Sequence, residues 1–234
     1  RLIAAPTSAL IPELWGLGIR ESRGEIVAIT TAHCVPSRDW VSAMLEAHEG
    51  AAAGVGGAIE SDESAGLVDW AVYFCRYSQF MLPFERGVVR EIAGDNASYK
   101  RVHIDQCRHA WRNGFWEPAV HAELRKAGLE LLLAPSVVVS HKRSFGLGGF
   151  VKQRFWHGMQ FGRERAARLR WPRRALYSGL SPAIPLVFLV RIARQVFGKG
   201  RHRAKLIRCL PVLGLFLLAW SGGELLGYLR GSEA

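Results

Sequence analysis

The sequence predicts an α/β fold in which a mixed sheet is flanked by helices, followed by membrane-associated helices near the C-terminal end. Three observations support this. Residues 25–30 (EIVAIT) form a β-branched run typical of a strand buried on both faces, with helical patterns on either side. Hydrophobic residues make up 49% of the 234 residues, which is enough for a sizeable core. Residues 207–229 form an apolar run long enough to span a bilayer.

The remaining predicted elements alternate between helices and strands. In chain order they are a helix at 11–23, the strand at 25–30, a helix at 39–49, a strand at 51–60, a helix at 67–84 ending at Pro83, a helix at 119–128 and a strand–turn–strand run at 129–139. The strand at 51–60 contains three glycines, which have no side chain to pack. We therefore expect close backbone approaches along it.

Charge is distributed unevenly along the chain. Residues 1–141 contain 13 Lys/Arg and 17 Asp/Glu, whereas residues 142–208 contain 17 Lys/Arg and one acid, Glu164. This basic block flanks apolar segments, which indicates an anionic membrane surface as a partner. No nucleic-acid-binding motif accompanies it, so we predict no nucleic-acid partner. Four widely spaced cysteines without a C-x-x-C pair indicate free thiols in a reducing compartment.

Small and polar residues, Thr31-Ala32-His33-Cys34, follow the first strand. Ligands of open α/β sheets bind just past the carboxyl ends of strands. Thr31 and His33 are two residues apart, so both side chains can face one site. Imidazole can bind a divalent cation or a phosphate there. The alternative is that His33 is an exposed histidine in a turn.

The pattern RGEIVA…CVP…W over residues 23–40 resembles the middle of the nucleotide-sugar-binding half of family 2 inverting glycosyltransferases of the GT-A fold. The resemblance implies a GT-A (Rossmann-like) sheet, a nucleotide-sugar donor as partner and a divalent cation, Mn²⁺ or Mg²⁺, as cofactor. The family has Asp-x-Asp where this chain has Thr31-Ala32-His33. The resemblance also implies that the chain is N-terminally truncated, lacking the family's first strand–helix–strand unit.

Two further segments resemble family motifs. Residues 92–101 (IAGDNASYKR) resemble the loop GGNxAFRR, which implies that Asp95 and Asn96 bind the sugar or the acceptor. Turn chemistry alone accounts for the same residues. Residues 115–128 resemble the segment W-E-D…LRRAG, which implies that Glu117 is the general base of an inverting transfer. The alternative for Glu117 is a capping role at a helix start.

Two later segments complete the resemblance. Ser140-His141 is similar to the family's P…V.H pattern, which implies that His141 lies near the metal and the diphosphate. Residues 153–156 (QRFW) partly resemble Gln-x-x-Arg-Trp with a different spacing. This implies a role for Arg154 at the donor diphosphate and for Trp156 at the acceptor. A basic amphipathic helix on a membrane accounts for the same residues.

We predict a partial GT-A domain at residues 1–162. Residues 163–234 would then be a basic juxtamembrane region with membrane helices at about 175–190 and 207–229. The second helix would span the membrane, with Glu224 facing protein or an interface. The first is broken by Pro182 and Pro185 and has basic flanks, so we predict a re-entrant or interfacial helix. The catalytic domain would then face the cytoplasm at the inner membrane.

These inferences predict a bacterial cell-envelope glycosyltransferase. It would move a sugar from a nucleotide-sugar to a hydroxyl of a lipid-linked or envelope glycan acceptor, with inversion. The alternative is a non-catalytic membrane-associated protein with a degenerate glycosyltransferase fold. The altered Asp-x-Asp slot favours this alternative, whereas Glu117 and His141 favour the enzyme.

Overall fold

The computed structural model describes residues 2–7, 9–142, 144–167 and 169–231. These residues form six strands: β1 Ile26–Thr30, β2 Cys34–Pro36, β3 Gly54–Ser61, β4 Gly87–Val89, β5 Asn96–Lys100 and β6 Leu131–His141. They also form ten α-helices: α1 Ile11–Glu21, α2 Trp40–Ala47, α3 Leu67–Tyr77, α4 Arg101–Gln106, α5 Arg108–Trp111, α6 Glu117–Lys126, α7 Leu147–Ala166, α8 Trp171–Leu180, α9 Ile184–Lys199 and α10 Arg203–Arg230. Short 3₁₀ segments follow α3 and α8, at Ser78–Phe80 and Ser181–Ala183.

The chain divides into two compact units. Unit 1 comprises residues 1–60 and 80–142 and contains most of the sheet with α1, α2 and α4–α6. Unit 2 comprises residues 61–79 and 143–234 and contains α3 and α7–α10. This division differs from the predicted boundary at residue 162, because α3 and α7 both pack against α10.

The sheet has the strand order β1-β5-β3-β6-β2, and β4 also pairs with β6. The pairings β1–β5, β3–β5, β2–β6 and β4–β6 are antiparallel. Thr30 at the end of β1 is opposite Asn96 at the start of β5, and Cys34 is opposite His141 at the end of β6. The turn after β1 therefore lies beside the segment that enters β5.

The prediction that β1 is buried on both faces is wrong. Val27 and Ile29 are buried, whereas Ala28 between them is exposed. β1 stands at the end of the strand order and its two faces differ in burial, so its side chains alternate between core and solvent. The β-branched run indicated a strand correctly, but could not tell an edge strand from a central one.

The predicted turn within residues 129–139 is also wrong, because β6 runs unbroken from Leu131 to His141 through Pro135. The two strands that share one edge of β6 pair with its ends: β4 pairs with residues 131–133 and β2 with residues 139–141. Pro135 lies between these paired segments, where its missing N–H costs no ladder hydrogen bond on that edge.

The glycines of β3 confirm the expected close backbone approaches. A Cβ built on Gly57 would lie 1.9 Å from the carbonyl oxygen of Val137 and 2.4 Å from Nδ2 of Asn96. A Cβ on Gly56 would lie 2.5 Å from the side chain of Ile92. Side chains at these positions would separate β3 from its neighbours, so glycine is required for this packing.

Close backbone contact also holds unit 2 together. On α7, a Cβ built on Gly158 or Gly162 would lie 2.2 or 2.4 Å from a carbonyl oxygen of α10. On α10, a Cβ on Gly223 or Gly227 would lie 2.0 or 2.3 Å from a carbonyl oxygen of α7. Each helix thus presents two glycines four residues apart on the same face, which lets the two backbones approach closely.

Two helical segments are long and apolar enough to cross a membrane, judged by length and composition alone: Trp171–Lys199 and Arg203–Arg230. In the first, Pro182 lies in the 3₁₀ segment and Pro185 at the second position of α9, where the missing N–H interrupts no helical bond. The most apolar window of this segment is 11% buried, against 39% for α10. The segment expected to be interfacial is therefore the more exposed of the two.

Glu224 confirms its predicted environment. It is 4% exposed and accepts hydrogen bonds from Nε1 of Trp220 at 3.0 Å and from the hydroxyl of Tyr228 at 2.9 Å. A carboxylate on an otherwise apolar helix needs such donors, because burial without them is costly.

Candidate functional site

The turn after β1 forms the centre of the candidate site in unit 1. The N–H of Cys34 donates to the carbonyl of Thr31 at 3.0 Å and closes this turn. Oγ1 of Thr31 donates to Oδ1 of Asp95 at 3.0 Å and lies 3.2 Å from Nε2 of His33. Nε2 of His33 is 3.7 Å from the same Asp95 oxygen. Antiparallel pairing of β1 with β5 brings these residues together, although Asp95 is more than 60 positions away in the chain.

His141 joins this cluster from the end of β6. Its ring meets the His33 ring edge to face, with centroids 4.9 Å apart, and its side chain is almost fully buried. Its position follows from the β2–β6 pairing, which sets His141 opposite Cys34. The structure therefore brings together four predicted site residues, namely Thr31, His33, Asp95 and His141.

The cluster contains donor atoms suited to a metal ion. One atom each of His33, Cys34 and Asp95 lies within 4.8 Å of the other two. Imidazole nitrogen, thiolate sulfur and carboxylate oxygen together fit Zn²⁺ or another transition-metal ion better than Mg²⁺, which prefers oxygen ligands. The sequence analysis did not include Cys34 among the metal-binding candidates, although its position directly after His33 at a strand end was a usable signal.

Glu117 lies beside the loop that carries Asp95. It is the first residue of α6, and its Oε1 accepts a hydrogen bond from the N–H of Gly94 at 3.2 Å. A Cβ built on Gly94 would lie 2.5 Å from the ring of Trp15 and 2.7 Å from that carboxylate oxygen. The loop therefore needs glycine here to bring its backbone against Glu117.

Burial raises the pKa of Glu117, and the nearby negative charge of Asp95 raises it further. The hydrogen bond from Gly94 opposes this shift without cancelling it. A carboxylate with a raised pKa is a stronger base than an exposed one. This is the property that general-base catalysis needs.

Two features behind the cluster were not predicted. Trp15 on α1 donates from Nε1 to the carbonyl of Thr30 at 2.8 Å and so fixes the end of β1. Behind Glu117, the buried side chains of Tyr99 and His121 are 2.9 Å apart, and Nδ1 of His121 is 2.6 Å from a carboxylate oxygen of Glu91. Burial, together with the negative charges of Glu117 and Glu91, holds the pKa of Tyr99 well above its usual value.

Asn96 has a structural role that the sequence did not indicate. Its side chain is fully buried and donates from Nδ2 to the carbonyls of Ala58 and Val137, both at 2.9 Å. Its Oδ1 accepts from Nε1 of Trp40 at 2.8 Å. Both amide donors and the oxygen are thus engaged with the protein itself, so Asn96 ties β3 and β6 to α2.

The two remaining predicted site residues lie on α7 in unit 2. Trp156 is half exposed. The guanidinium of Arg154 is 4.3 Å from the ring centroid of Trp220 and lines a cavity together with Arg76 and Arg191. Burial lowers the pKa of Arg154, and the positive charge of Arg76 also lowers it.

Comparison with known proteins gives limited information. No protein-family model matches the chain, and no curated protein sequence matches it. Among solved structures it is similar to a mannosyltransferase, PcManGT from Pyrobaculum calidifontis, in complex with GDP-Man and Mn²⁺. The identity is 16% and the TM-score 0.47, and the match covers 92% of this chain. The chain spans 66% of the length of that structure. A likeness of this size does not assign an activity.

Proposed function

We propose that unit 1 is the donor-binding unit of a glycosyltransferase that moves a sugar from a nucleotide-sugar to a hydroxyl acceptor with inversion. The observation that supports this most is the convergence of Thr31, His33, Asp95 and His141. These residues come from three separate segments, and each segment resembles a different family motif. Their proximity is what a shared donor site would require.

Glu117 is the proposed general base. In an inverting transfer the base takes the proton of the acceptor hydroxyl while the oxygen of that hydroxyl attacks the anomeric carbon. The nucleoside diphosphate leaves from the opposite face of the sugar. Glu117 suits this role because it lies directly against the loop that carries Asp95 and its pKa is raised by burial. Asp95 is the proposed contact to a sugar hydroxyl.

A divalent cation would be held by His33, Cys34 and Asp95, and His141 packs against the first of these. When bound, the ion would neutralise the diphosphate as the bond to the sugar breaks. The hydroxyl of Thr31 contacts the imidazole of His33 and the carboxylate of Asp95, and it would orient these two ligands. Arg154 and Trp156 remain predictions for the diphosphate and the acceptor.

The proposed location is the cytoplasmic face of the inner membrane of a bacterium, with a lipid-linked or envelope glycan as acceptor. The exposed apolar residues of α8 and α9 support membrane contact; they are Leu176, Leu180, Leu186, Val187 and Val190. Basic residues flank this segment on both sides, which suits an anionic lipid surface.

The test is a thermal-shift panel of nucleotide-sugars, including GDP-mannose, on the full chain in detergent, with and without Mn²⁺ or Zn²⁺. We expect one donor to raise the melting temperature, and we expect the His33→Ala variant to lose this rise. His109→Ala is the matched control, because His109 is an exposed histidine of the same unit and should leave the rise unchanged.

Failure of every donor to stabilise folded protein would contradict the proposal and favour the non-catalytic alternative. The metal assignment has its own readout. Zn²⁺ or Mn²⁺ alone should bind the wild type and bind the Cys34→Ser variant at least about tenfold more weakly, because loss of one ligand removes a strong donor.

A further inference from the structure

The cavity that Arg154 lines lies entirely within unit 2 and has a volume of about 170 Å³. Three arginines from three different helices reach it: Arg76 of α3, Arg154 of α7 and Arg191 of α9. Among the residues that the structure describes, no carboxylate lines this cavity. It is therefore a concave site whose ionised side chains all carry the same charge.

Some of the polar groups that line the cavity are hydrogen-bonded to one another. Oγ of Ser78 donates to Oε1 of Gln195 at 2.6 Å, and Nη2 of Arg191 donates to Oε1 of Gln79 at 3.1 Å. Nε of Arg154 is buried without a hydrogen-bond acceptor among the described residues. A buried donor without an acceptor is costly, and an anion in the cavity would supply an acceptor for this one.

Phosphate is the anion that best matches this set of donors. Guanidinium groups bind phosphate oxygens through paired, charge-assisted hydrogen bonds, and arginine remains charged at any physiological pH. A phosphate also has enough oxygens to be shared among three arginines. A small halide would not use the planar geometry of these side chains.

The surface of α9 indicates what kind of molecule the phosphate belongs to. Leu186 and Val187 are more than 60% exposed, and the helix changes from apolar to basic at Arg191. Leu186 and Arg191 are five positions apart on the helix, a rise of about 7.5 Å. The half-buried Phe188 in the cavity lining directly follows the exposed Leu186 and Val187 in α9. A phosphate attached to hydrocarbon chains fits both features.

We propose that this cavity binds the phosphate group of an anionic membrane lipid through Arg76, Arg154 and Arg191. The site would fix the depth and orientation of unit 2 at the membrane. This is more specific than the general attraction of a basic surface to anionic lipid. The proposal gives Arg154 a different partner from the donor diphosphate that the sequence predicts for it. It does not depend on the transfer reaction of unit 1.

The test uses the full chain in a neutral detergent with two probes: short-chain phosphatidic acid and inorganic phosphate. Calorimetry measures the affinity for each. The Arg191→Gln variant is compared with Arg194→Gln, which makes the same charge change on an exposed residue of the same helix outside the cavity. A second variant, Arg154→Gln, is included only if its circular dichroism matches the wild type.

We expect phosphatidic acid to bind the wild type more tightly than inorganic phosphate does. Arg191→Gln should weaken its binding about 10- to 100-fold, because one charge-assisted interaction is lost. Arg194→Gln should weaken binding by less than about fivefold. Donor-induced stabilisation of unit 1 should be unchanged in both variants, which keeps this result separate from the test of the transferase.

Equal losses in the two variants would show that surface charge alone attracts the lipid, and would overturn the proposal. So would the absence of binding of either probe to folded wild type. Equal affinity for both probes, lost in Arg191→Gln, would overturn the lipid as the source and assign the site to free phosphate.

Discussion

The polar cluster of unit 1 and the arginine cavity of unit 2 differ in the kind of charge they contain. The cluster combines imidazole, carboxylate, hydroxyl and thiol groups that contact one another. The cavity is lined by three guanidinium groups, by neutral polar side chains, by the thiol of Cys75 and by apolar side chains. Imidazole, carboxylate and thiol groups can give up or take a proton, whereas a threonine hydroxyl and a guanidinium keep theirs at physiological pH. Groups that can transfer a proton therefore contact one another in the cluster of unit 1, whereas permanent positive charge dominates the cavity of unit 2.

The largest expected effect tests whether the chemistry resides in unit 1. Glu117→Gln should lower the rate of sugar transfer about 10²- to 10⁴-fold, because the base that accepts the acceptor proton is removed. Donor binding should remain, since glutamine keeps an oxygen that can accept from Gly94. The measurement is transfer of labelled sugar alongside donor-induced thermal shift.

The same variant should not lose stability at neutral pH. The folded pKa of Glu117 is raised, so its ionised form destabilises the fold above that pKa, and the neutral glutamine removes this effect. As the pH falls below the raised pKa, Glu117 is protonated and the wild type gains stability relative to the variant. A variant that melts well below the wild type at pH 7.5 would indicate a structural role for Glu117 instead.

The second prediction separates structural polar residues of unit 1 from reactive ones. Asn96→Ala should lower the free energy of unfolding by about 3–4 kcal/mol, because it leaves the carbonyls of Ala58 and Val137 and the indole N–H of Trp40 without their partner. Asn113→Ala is the control at an exposed position of the same unit. Chemical denaturation measures both; similar small losses in the two variants would contradict this role for Asn96.

The third prediction uses pH to test the contribution of one buried histidine of unit 1. Burial, with a smaller contribution from Lys100, lowers the pKa of His48 in unit 1 to about 4. The unfolded chain binds this proton near pH 6.5, so His48 costs the fold about 3 kcal/mol of stability as the pH falls from 6.5 to 4. His48→Gln should remove that part of the pH dependence while keeping a hydrogen bond to Ser98.

Unfolding in urea at pH 7.5, 5 and 4 measures this difference. The curve of the exposed-site control His109→Gln should follow that of the wild type. If the curve of His48→Gln also followed that of the wild type, the titration of His48 would not contribute to acid destabilisation.

The smallest expected effect concerns the packing of unit 2. Gly223→Ala should destabilise it by about 1–3 kcal/mol, because the added Cβ would lie 2.0 Å from a carbonyl oxygen of α7 and force the helices apart. Gly222→Ala is the neighbouring control. Its Cβ has no neighbour closer than 3.9 Å, so it should stabilise the helix slightly. Thermal unfolding of both variants in detergent tests the contrast; equal effects would contradict close packing at Gly223.

The predictions that were confirmed concern features set by nearby residues. The helix at 11–23 is observed as Ile11–Glu21, the helix at 39–49 as Trp40–Ala47, and the apolar run at 207–229 lies within Arg203–Arg230. The protected environment of Glu224 follows from its charge on an apolar helix. Periodicity and charge act over a few residues, so the sequence contains this information directly.

The errors arose where a local pattern depends on distant partners. β1 was expected to be buried on both faces, but its burial depends on where it stands in the strand order. A turn was expected near Pro135, but strand pairing at both ends of β6 keeps the strand continuous. The sequence contains the glycine pairs of α7 and α10, each with two glycines four positions apart. It does not show that the two pairs face each other.

The sequence by itself determined most of the helices, the strands β1, β3 and β6, the basic block and the residue types that point to a donor site. Only the tertiary structure decided that Asp95 and Cys34 meet His33, and that three arginines from three helices share one cavity. The reason is physical. Side-chain patterns report which face of an element is buried, whereas strand pairing and helix packing select which distant residues share that face.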